Sequence, residues 1–232
     1  MKRKVSSIAL NALLLILGVV TVYPFVWMLF SSFKENQEIM ALEQHLLPQK
    51  FIIDNYINMN AHFNFIRFFL NSIVITVVIT LIVIYTSTIC GFVLSKYKFK
   101  GRNILFGFVL STMMIPWCVT IIPKYSMIQA FGWMDSYKAL IIPAMFSGFG
   151  IFSIAIFQVL WTWEDFLWPY LVITNKDKQL LAVGLKMFNG QYSTDYGALF
   201  AATAISIIPV LLIYLFFQKQ FIAGIAASAV KG

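Results

Sequence analysis

The feature of this sequence that most constrains its fold is a set of five long apolar blocks without a charged residue. The blocks are Ile8 to Phe33, Asn71 to Ser95, Asn103 to Pro123, Ala139 to Trp163 and Tyr196 to Gln218. Crossing the hydrocarbon layer takes about 20 helical residues, and each block reaches that length. The blocks are continuous rather than alternating, which favours helices over the short alternating strands of a barrel. The sequence therefore predicts an all-α, polytopic transmembrane protein with five apparent spans.

The overall composition agrees with a lipid environment. The chain is 60% hydrophobic and 11% charged, whereas a soluble domain has about 25% charged residues. The first block follows a basic segment at residues 2–4 but is longer than the roughly 7–15 apolar residues of a secretory signal. We therefore expect it to be a retained first span. Small residues at positions 197–204 of the last block predict close packing on a neighbouring helix.

Basic residues predict the orientation of the chain. They cluster at residues 2–4 and in the connector 95–102, which two spans separate. The positive-inside rule places both segments in the cytoplasm, with external segments at about 34–70, 124–137 and 175–195. The net charge of +8 is expected for cytoplasmic loops, and no nucleic-acid motif accompanies it. Within the first external segment, residues 63–70 predict a short helix at the membrane interface.

Motifs for bond chemistry are absent from the sequence. There is no Gly-rich Lys-Ser/Thr loop to hold phosphates, and His45 and His62 are the only histidines. We therefore expect no catalytic residue, no metal and no cofactor in this chain. Any ATP hydrolysis would belong to a separate subunit.

One acidic pair, Glu164–Asp165, adjoins an apolar block and is flanked by Trp163 and Trp168. Adjacent helical side chains point about 100° apart, so the two carboxylates do not converge as an acid–base pair. The group suits either an aromatic belt at the water boundary or the mouth of a substrate pathway. These four residues are the candidate pathway mouth.

An ordered series of short motifs resembles the second permease subunit of bacterial ABC sugar importers, the maltose and multiple-sugar type. In chain order the motifs are Tyr23–Met28, Ser31–Lys34, Asn71–Ser72, Ser95–Tyr97, Phe99–Gly101, Met114–Pro116, Ile122–Pro123, Phe131–Tyr137, Trp161–Pro169, Gln218–Ile222 and Ala229–Gly232. Each motif alone is weak evidence, whereas the ordered series runs nearly from end to end.

The resemblance implies a single transmembrane permease domain over residues 1–232, in a family whose intact members have six spans. It implies a multi-pass location in the bacterial cell membrane and import of a sugar or oligosaccharide that the sequence does not identify. The implied partners are a second permease subunit, two ATP-binding subunits and an extracytoplasmic sugar-binding protein. It also implies that Asn189, Gly190, Gln191 and Tyr192 reach toward the binding protein and the substrate pathway.

The sequence departs from the family at the cytoplasmic loop that docks on the ATPase. That loop carries Glu-Ala-Ala followed by a Gly, and it is not found here. Residues 139–152 resemble the family's span 4 and residues 153–171 its span 5, joined directly. We hypothesise an internal deletion, which removes the lever for ATPase closure and leaves coupled transport weak or absent. The alternative function is a non-transporting membrane remnant or scaffold.

The joined stretch, residues 138–174, is too short for two full spans and a turn, which need more than about 40 residues. One long helix, tilted or bent, fits this length best and is the favoured interpretation, and Ser147–Gly150 offers a place for a bend. It would reverse the sidedness of everything that follows. A shallow re-entrant hairpin is the alternative, and it would keep the topology of the family.

Overall fold

The computed structural model of the chain describes residues 2–145, 155–188 and 194–229. This part consists of helices and connecting turns, with no β-strand. The helices are α1 (Lys2–Ser31), α2 (Asn36–Ile39), α3 (Asp54–His62), α4 (Phe65–Lys96), α5 (Arg102–Met114), α6 (Trp117–Ala130), α7 (Lys138–Met145), α8 (Ala155–Glu164), α9 (Leu167–Val172), α10 (Leu181–Lys186) and α11 (Tyr196–Ala229), with a 3-10 turn at Lys176–Lys178.

Three helices in the described part are long and apolar enough to cross a membrane. They are Leu10–Ser31 of α1, Phe65–Lys96 of α4 and Tyr196–Lys219 of α11. A fourth crossing is present if α5 and α6, which meet at a bend of 102°, form one broken span. The predicted class, an all-α protein with several membrane crossings, is confirmed. The remaining apolar block contributes α7 and α8.

The bend between α5 and α6 lies at Pro116. Proline lacks an N–H, and its ring clashes with the preceding turn, so it kinks or ends a helix. In keeping with this rule, α5 ends at Met114 and α6 starts at Trp117. Because α6 continues to Ala130, the first half of the predicted external segment 124–137 is helical.

The predicted interfacial helix at residues 63–70 is wrong as a separate element. Helix α4 begins at Phe65 and runs without a break for 32 residues. Asn64 caps it, since the Asn64 side chain accepts a hydrogen bond from the Arg67 N–H at 3.0 Å. A side-chain cap of this kind satisfies one of the N–H groups that a helix start leaves unpaired. The aromatic segment is therefore the first two turns of the span.

Contacts divide the chain into two compact units, Met1–Phe63 with Met187–Ile207 and Asn64–Lys186 with Ile208–Gly232. A single permease domain over 1–232 stays a prediction. In the first unit, Ala198, Ala201 and Ala202 are fully buried, which confirms the packing expected of the small residues. In the same unit the Trp27 ring packs edge-on against Phe200, with ring centroids 5.3 Å apart.

Helix α4 is the central element of the second unit. Helices α7, α8 and α10 all pack against it. Its residues Ile75, Ile79 and Val83 belong to a buried apolar cluster that continues through Ala139 and Leu140 of α7. By contrast, helix α5 has no buried residue, and the most apolar window of α1 is fully exposed. Bare apolar faces of this length are stable only against lipid or another subunit.

Candidate functional site

In the second unit, the stretch 138–174 returns to the end at which it starts. The Asp135 N–H, just before the stretch, donates to the Val172 carbonyl at 2.9 Å. One turn further in, the Trp168 indole N–H donates to the Ala139 carbonyl at 2.9 Å. The first and last turns of the stretch therefore lie side by side.

These contacts exclude the favoured interpretation of one long helix, tilted or bent, that crosses the membrane. The ends of a helix that crosses the hydrocarbon layer lie about 30 Å apart, and they cannot share hydrogen bonds. The single-helix prediction is wrong, and the alternative, a hairpin, describes the stretch. Its described arms are α7 and α8, both packed on α4, while residues 146–154 lie outside the described part. Length argued against two full spans, but it does not argue against two short arms.

Asp135 closes the base of this hairpin. Its φ of +56° lies in the left-handed region, which Asp tolerates better than most residues. Its carboxylate accepts hydrogen bonds from the Thr174 hydroxyl at 2.6 and 2.7 Å and from the Asn175 N–H at 2.8 Å. The hydrogen bond from the Thr174 side chain, followed by those from the backbone, holds the pKa of Asp135 below its ordinary value. The Lys178 ammonium adds a bond to the Asp135 carbonyl at 2.7 Å.

The start of α4 joins the same end of the unit. Arg67 forms an ion pair with the Asp177 carboxylate at 2.7 Å, and its Nε donates to the Asp177 carbonyl at 3.0 Å. The Asn71 amide donates to the carbonyls of Asp177 and Gln179, both at 3.0 Å. The beginning of α4, the turn before α7 and the segment after α9 therefore share one end, away from the basic connector at the other end of α4.

Trp168 lies at the centre of the hairpin base and is buried. The Lys124 ammonium stands 3.7 Å from the centroid of its ring, a cation–π contact. The Trp168 backbone N–H donates to the Asp165 carboxylate at 3.3 Å, and an electrostatic attraction links Asp165 to Lys124. One indole thus connects α6, α7 and the start of α9.

A cavity of about 200 Å³ opens beside Trp168, entirely within the second unit. Among the described residues, its lining combines polar side chains, two indoles and an aliphatic wall. The polar residues are Lys124, Gln158, Thr162 and Asp165, the indoles are Trp161 and Trp168, and the aliphatic wall is formed by Ile75, Ile79, Leu140, Pro143, Ala144, Pro169 and Leu180. The Gln158 amide donates to the Thr162 hydroxyl at 3.0 Å. The cavity therefore offers both hydrogen-bond donors and acceptors inside an apolar shell.

The structure separates the four residues of the predicted pathway mouth. Asp165 and Trp168 line the cavity. Trp163 packs edge-on against Phe69 of α4, with ring centroids 5.7 Å apart, and Glu164 is exposed to the surroundings. Helix α8 ends at Glu164, and the two neighbouring carboxylates lie in different environments, so they do not act as a pair.

The other predicted set, Asn189, Gly190, Gln191 and Tyr192, lies outside the described residues. Sequence reasoning missed three polar residues of the cavity lining, which are Lys124, Gln158 and Thr162. Gln158 and Thr162 did leave a signal, because two polar residues four positions apart share one helix face inside an apolar block. Lys124 gave no such signal, because it directly follows an apolar block and was assigned to the external segment 124–137.

Comparisons with known proteins agree on one class of relatives. No protein-family model matches the chain. The chain is 29% identical to the arabinooligosaccharides transport system permease protein AraQ of Bacillus subtilis, over 98% of this chain and 97% of that protein. It is 28% identical to the diacetylchitobiose uptake system permease protein NgcG of Streptomyces coelicolor, over 95% and 88%. The inner membrane ABC transporter permease protein YcjP of Escherichia coli matches at 26%, over 100% and 99%.

A solved structure supplies the fold. A chain of a bacterial ABC transporter that imports the acidic polysaccharide alginate matches with a TM-score of 0.76 and 18% identity, over 95% of this chain and 98% of that chain. The present chain is thus a homologue of ABC importer permeases with an ABC permease fold.

The alignments also bear on the length of the chain. The one with the Escherichia coli permease covers 279 positions and all of this chain, which has 232 residues. At least 47 of those positions therefore have no residue of this chain. That number suits a lost loop together with the inner halves of two spans, and the location of the gap at 152–153 stays a prediction.

Proposed function

We propose that this chain is the membrane-spanning permease subunit of an ABC importer for a sugar or an oligosaccharide. The observation that carries the proposal is the end-to-end similarity to permeases of sugar importers. The chain forms the translocation pathway with a partner permease and performs no bond chemistry itself. Two ATP-binding subunits and an extracytoplasmic sugar-binding protein complete the complex.

We infer that the N-terminus is cytoplasmic, with the basic segments 2–4 and 96–102 inside. The hairpin supports this orientation because it preserves the sidedness of the chain. The start of α4, the turn at Asp135 and the segment 172–179 then share the outer side, and α11 runs inward to the basic residue Lys219. A single membrane-crossing helix over residues 138–174 would have put Asp135 and Thr174 on opposite sides of the membrane.

We further assign Asp165 and Trp168 to the outer part of the substrate pathway. Both line a cavity close to the hairpin base, at the end of the unit that we place outside. By family resemblance, the loop containing Asn189 and Tyr192 reaches toward the binding protein.

The proposal is tested by expressing the tagged chain together with the transport genes encoded beside it. We expect a second permease to co-purify and a weak sugar uptake to depend on the chain. A chain that purifies alone, and whose deletion leaves sugar uptake unchanged, would contradict the proposal and support the remnant or scaffold.

The deletion hypothesis needs its own measurement, which is sugar-stimulated ATP hydrolysis by the purified complex. We expect weak stimulation, and a several-fold increase after the docking segment of a relative is inserted between residues 152 and 153. An inserted segment of the same length with its Glu-Ala-Ala replaced by Ser-Ser-Ser is the matched control. Strong stimulation without any insertion would contradict the hypothesis while leaving the permease function intact.

A further inference from the structure

The size of the cavity beside Trp168 limits its occupant. An engineered apolar cavity of about 150 Å³ holds a benzene ring, and pockets for drug-sized ligands have about 300–1,000 Å³. A cavity of about 200 Å³ therefore suits one six-membered ring with its substituents.

The polar lining indicates what kind of ring. The Lys124 ammonium only donates hydrogen bonds, and an ionised Asp165 only accepts them. The Gln158 amide and the Thr162 hydroxyl, both in the lining, provide further donors and acceptors. A ring that carries several hydroxyls can satisfy all of them, because each hydroxyl both donates and accepts.

The aromatic lining adds an apolar surface for such a ring. The negative face of an indole attracts partial positive charge, such as that on the C–H bonds across one side of a sugar ring. Trp161 and Trp168 both contribute indoles to the lining, and the face of Trp168 also contacts the Lys124 ammonium.

The charges of the lining balance each other. Lys124 and Asp165 attract each other electrostatically, yet no contact within 4.0 Å joins them among the ion pairs of the described residues. A neutral ligand can bridge the two charges. A charged ligand would be attracted by one of these groups and repelled by the other, so the pair gives it little net attraction to offset the cost of removing its charge from water.

We propose that this cavity is a binding subsite for a single uncharged sugar ring on its way through the subunit. Lys124 and Asp165 bind hydroxyls of the ring, and Trp161 contacts its C–H face. The proposal rests on the sugar-permease function and adds a location, a size limit and a charge preference.

Protection of an introduced cysteine tests the proposal in membrane vesicles that contain the chain with its co-encoded partners. The native Cys90 and Cys118 are first replaced by alanine, and Thr162→Cys then places a thiol in the cavity wall. Labelling by a water-soluble maleimide is followed with and without D-glucose, L-arabinose or N-acetyl-D-glucosamine. A matched control is Lys176→Cys, which lies on an exposed turn of the same unit.

We expect at least one neutral sugar to slow labelling at position 162 in a saturable way and to leave position 176 unaffected. D-glucuronate and D-glucosamine should protect less than their neutral counterparts. Adding Lys124→Met should raise the half-protecting sugar concentration about ten- to a hundredfold, the effect of losing a hydrogen bond to a charged group. The labelling rate of Thr162→Cys without sugar is compared with and without Lys124→Met, and an equal rate shows that the cavity wall is intact. If Lys124→Met alters that rate, Gln158→Leu replaces it as the lining variant.

Unchanged labelling at position 162 with every sugar would overturn the subsite, as would protection that survives both lining variants. Either result leaves the permease function standing if sugar uptake and co-purification of the partner permease persist. Loss of uptake and of partners would instead overturn the function.

Discussion

A methyl group at Gly197, at the start of α11, would collide with a firmly held side chain of the first unit. A Cβ at this position would lie 2.4 Å from the Asn55 Oδ1 and 2.7 Å from its Cγ and Nδ2. Asn55 is 7% exposed, and its amide donates to the Ser32 carbonyl at 2.9 Å and the Lys34 carbonyl at 2.8 Å. Gly197→Ala therefore forces the amide away from both partners.

The expected loss of stability follows from those two bonds. Each hydrogen bond contributes about 0.5–1.5 kcal/mol, and a buried polar group left unpaired costs about 1–3 kcal/mol. Partial relaxation of α11 offsets some of this cost, so we expect the free energy of unfolding to fall by about 2–4 kcal/mol. For a chain of this size that corresponds to a thermal midpoint lower by roughly 5–15 °C.

A double-mutant cycle with Asn55→Ala identifies the cause. Thermal midpoints of the four purified proteins are compared in one detergent at one scan rate, because unfolding of such proteins is often irreversible. Asn55→Ala alone also lowers stability, but in its background Gly197→Ala should be nearly neutral since the collision is gone. Strictly additive effects would refute the reasoning.

The matched control for the same substitution is Gly18→Ala in α1. A Cβ at Gly18 would have no neighbour within 4 Å, and alanine is the better helix former by about 1 kcal/mol. We expect an unchanged or slightly raised midpoint. An equal loss at both glycines would show that the effect belongs to the membrane helices in general rather than to Asn55.

Two further predictions concern the hairpin base. Trp168→Phe keeps an aromatic ring but leaves the fully buried Ala139 carbonyl without its donor, so we expect the free energy of unfolding to fall by about 1–3 kcal/mol. The control Trp117→Phe, at an exposed indole, should change it by less than about 0.5 kcal/mol. Equal effects of the two substitutions in thermal melts would contradict the role given to the Trp168 hydrogen bond. Asp135 has a folded-state pKa below its ordinary value because the Thr174 hydroxyl donates to it, so its contribution to stability is present above about pH 4 and is lost as the pH falls through the folded-state pKa. Melting midpoints measured against pH should therefore fall less steeply in acid for Asp135→Asn than for the wild type, and parallel curves would contradict this.

The sequence alone determined the class of the molecule, because membrane crossing depends on the local density of apolar residues. A continuous apolar block such as 71–95 has the length and composition of a membrane-crossing helix, whatever it packs against. The interruption at Pro116 was equally predictable, since a missing N–H acts on the same chain segment. The bend of 102° was not, because no local rule sets the angle between two helices.

Sequence reasoning identified only part of the candidate site. Asp165 and Trp168 stood out because a carboxylate and an indole next to an apolar block are unusual. Their cavity neighbour Lys124 lies more than 40 positions away in the chain, and Gln158 is an ordinary polar residue in sequence. Only the return of the hairpin brings these side chains to one space.

Sidedness after Lys138 shows most clearly what tertiary structure decided. Composition and length constrain one segment at a time, and for residues 138–174 they favoured a single helix. The outcome depended instead on contacts between distant residues, the Asp135 N–H with the Val172 carbonyl and the Trp168 indole with the Ala139 carbonyl. The sequence determined that this stretch is apolar and that helices form in the parts of it that the structure describes. The hydrogen bonds at its base decided that it turns back, because they satisfy polar groups that a straight helix would have held at opposite ends.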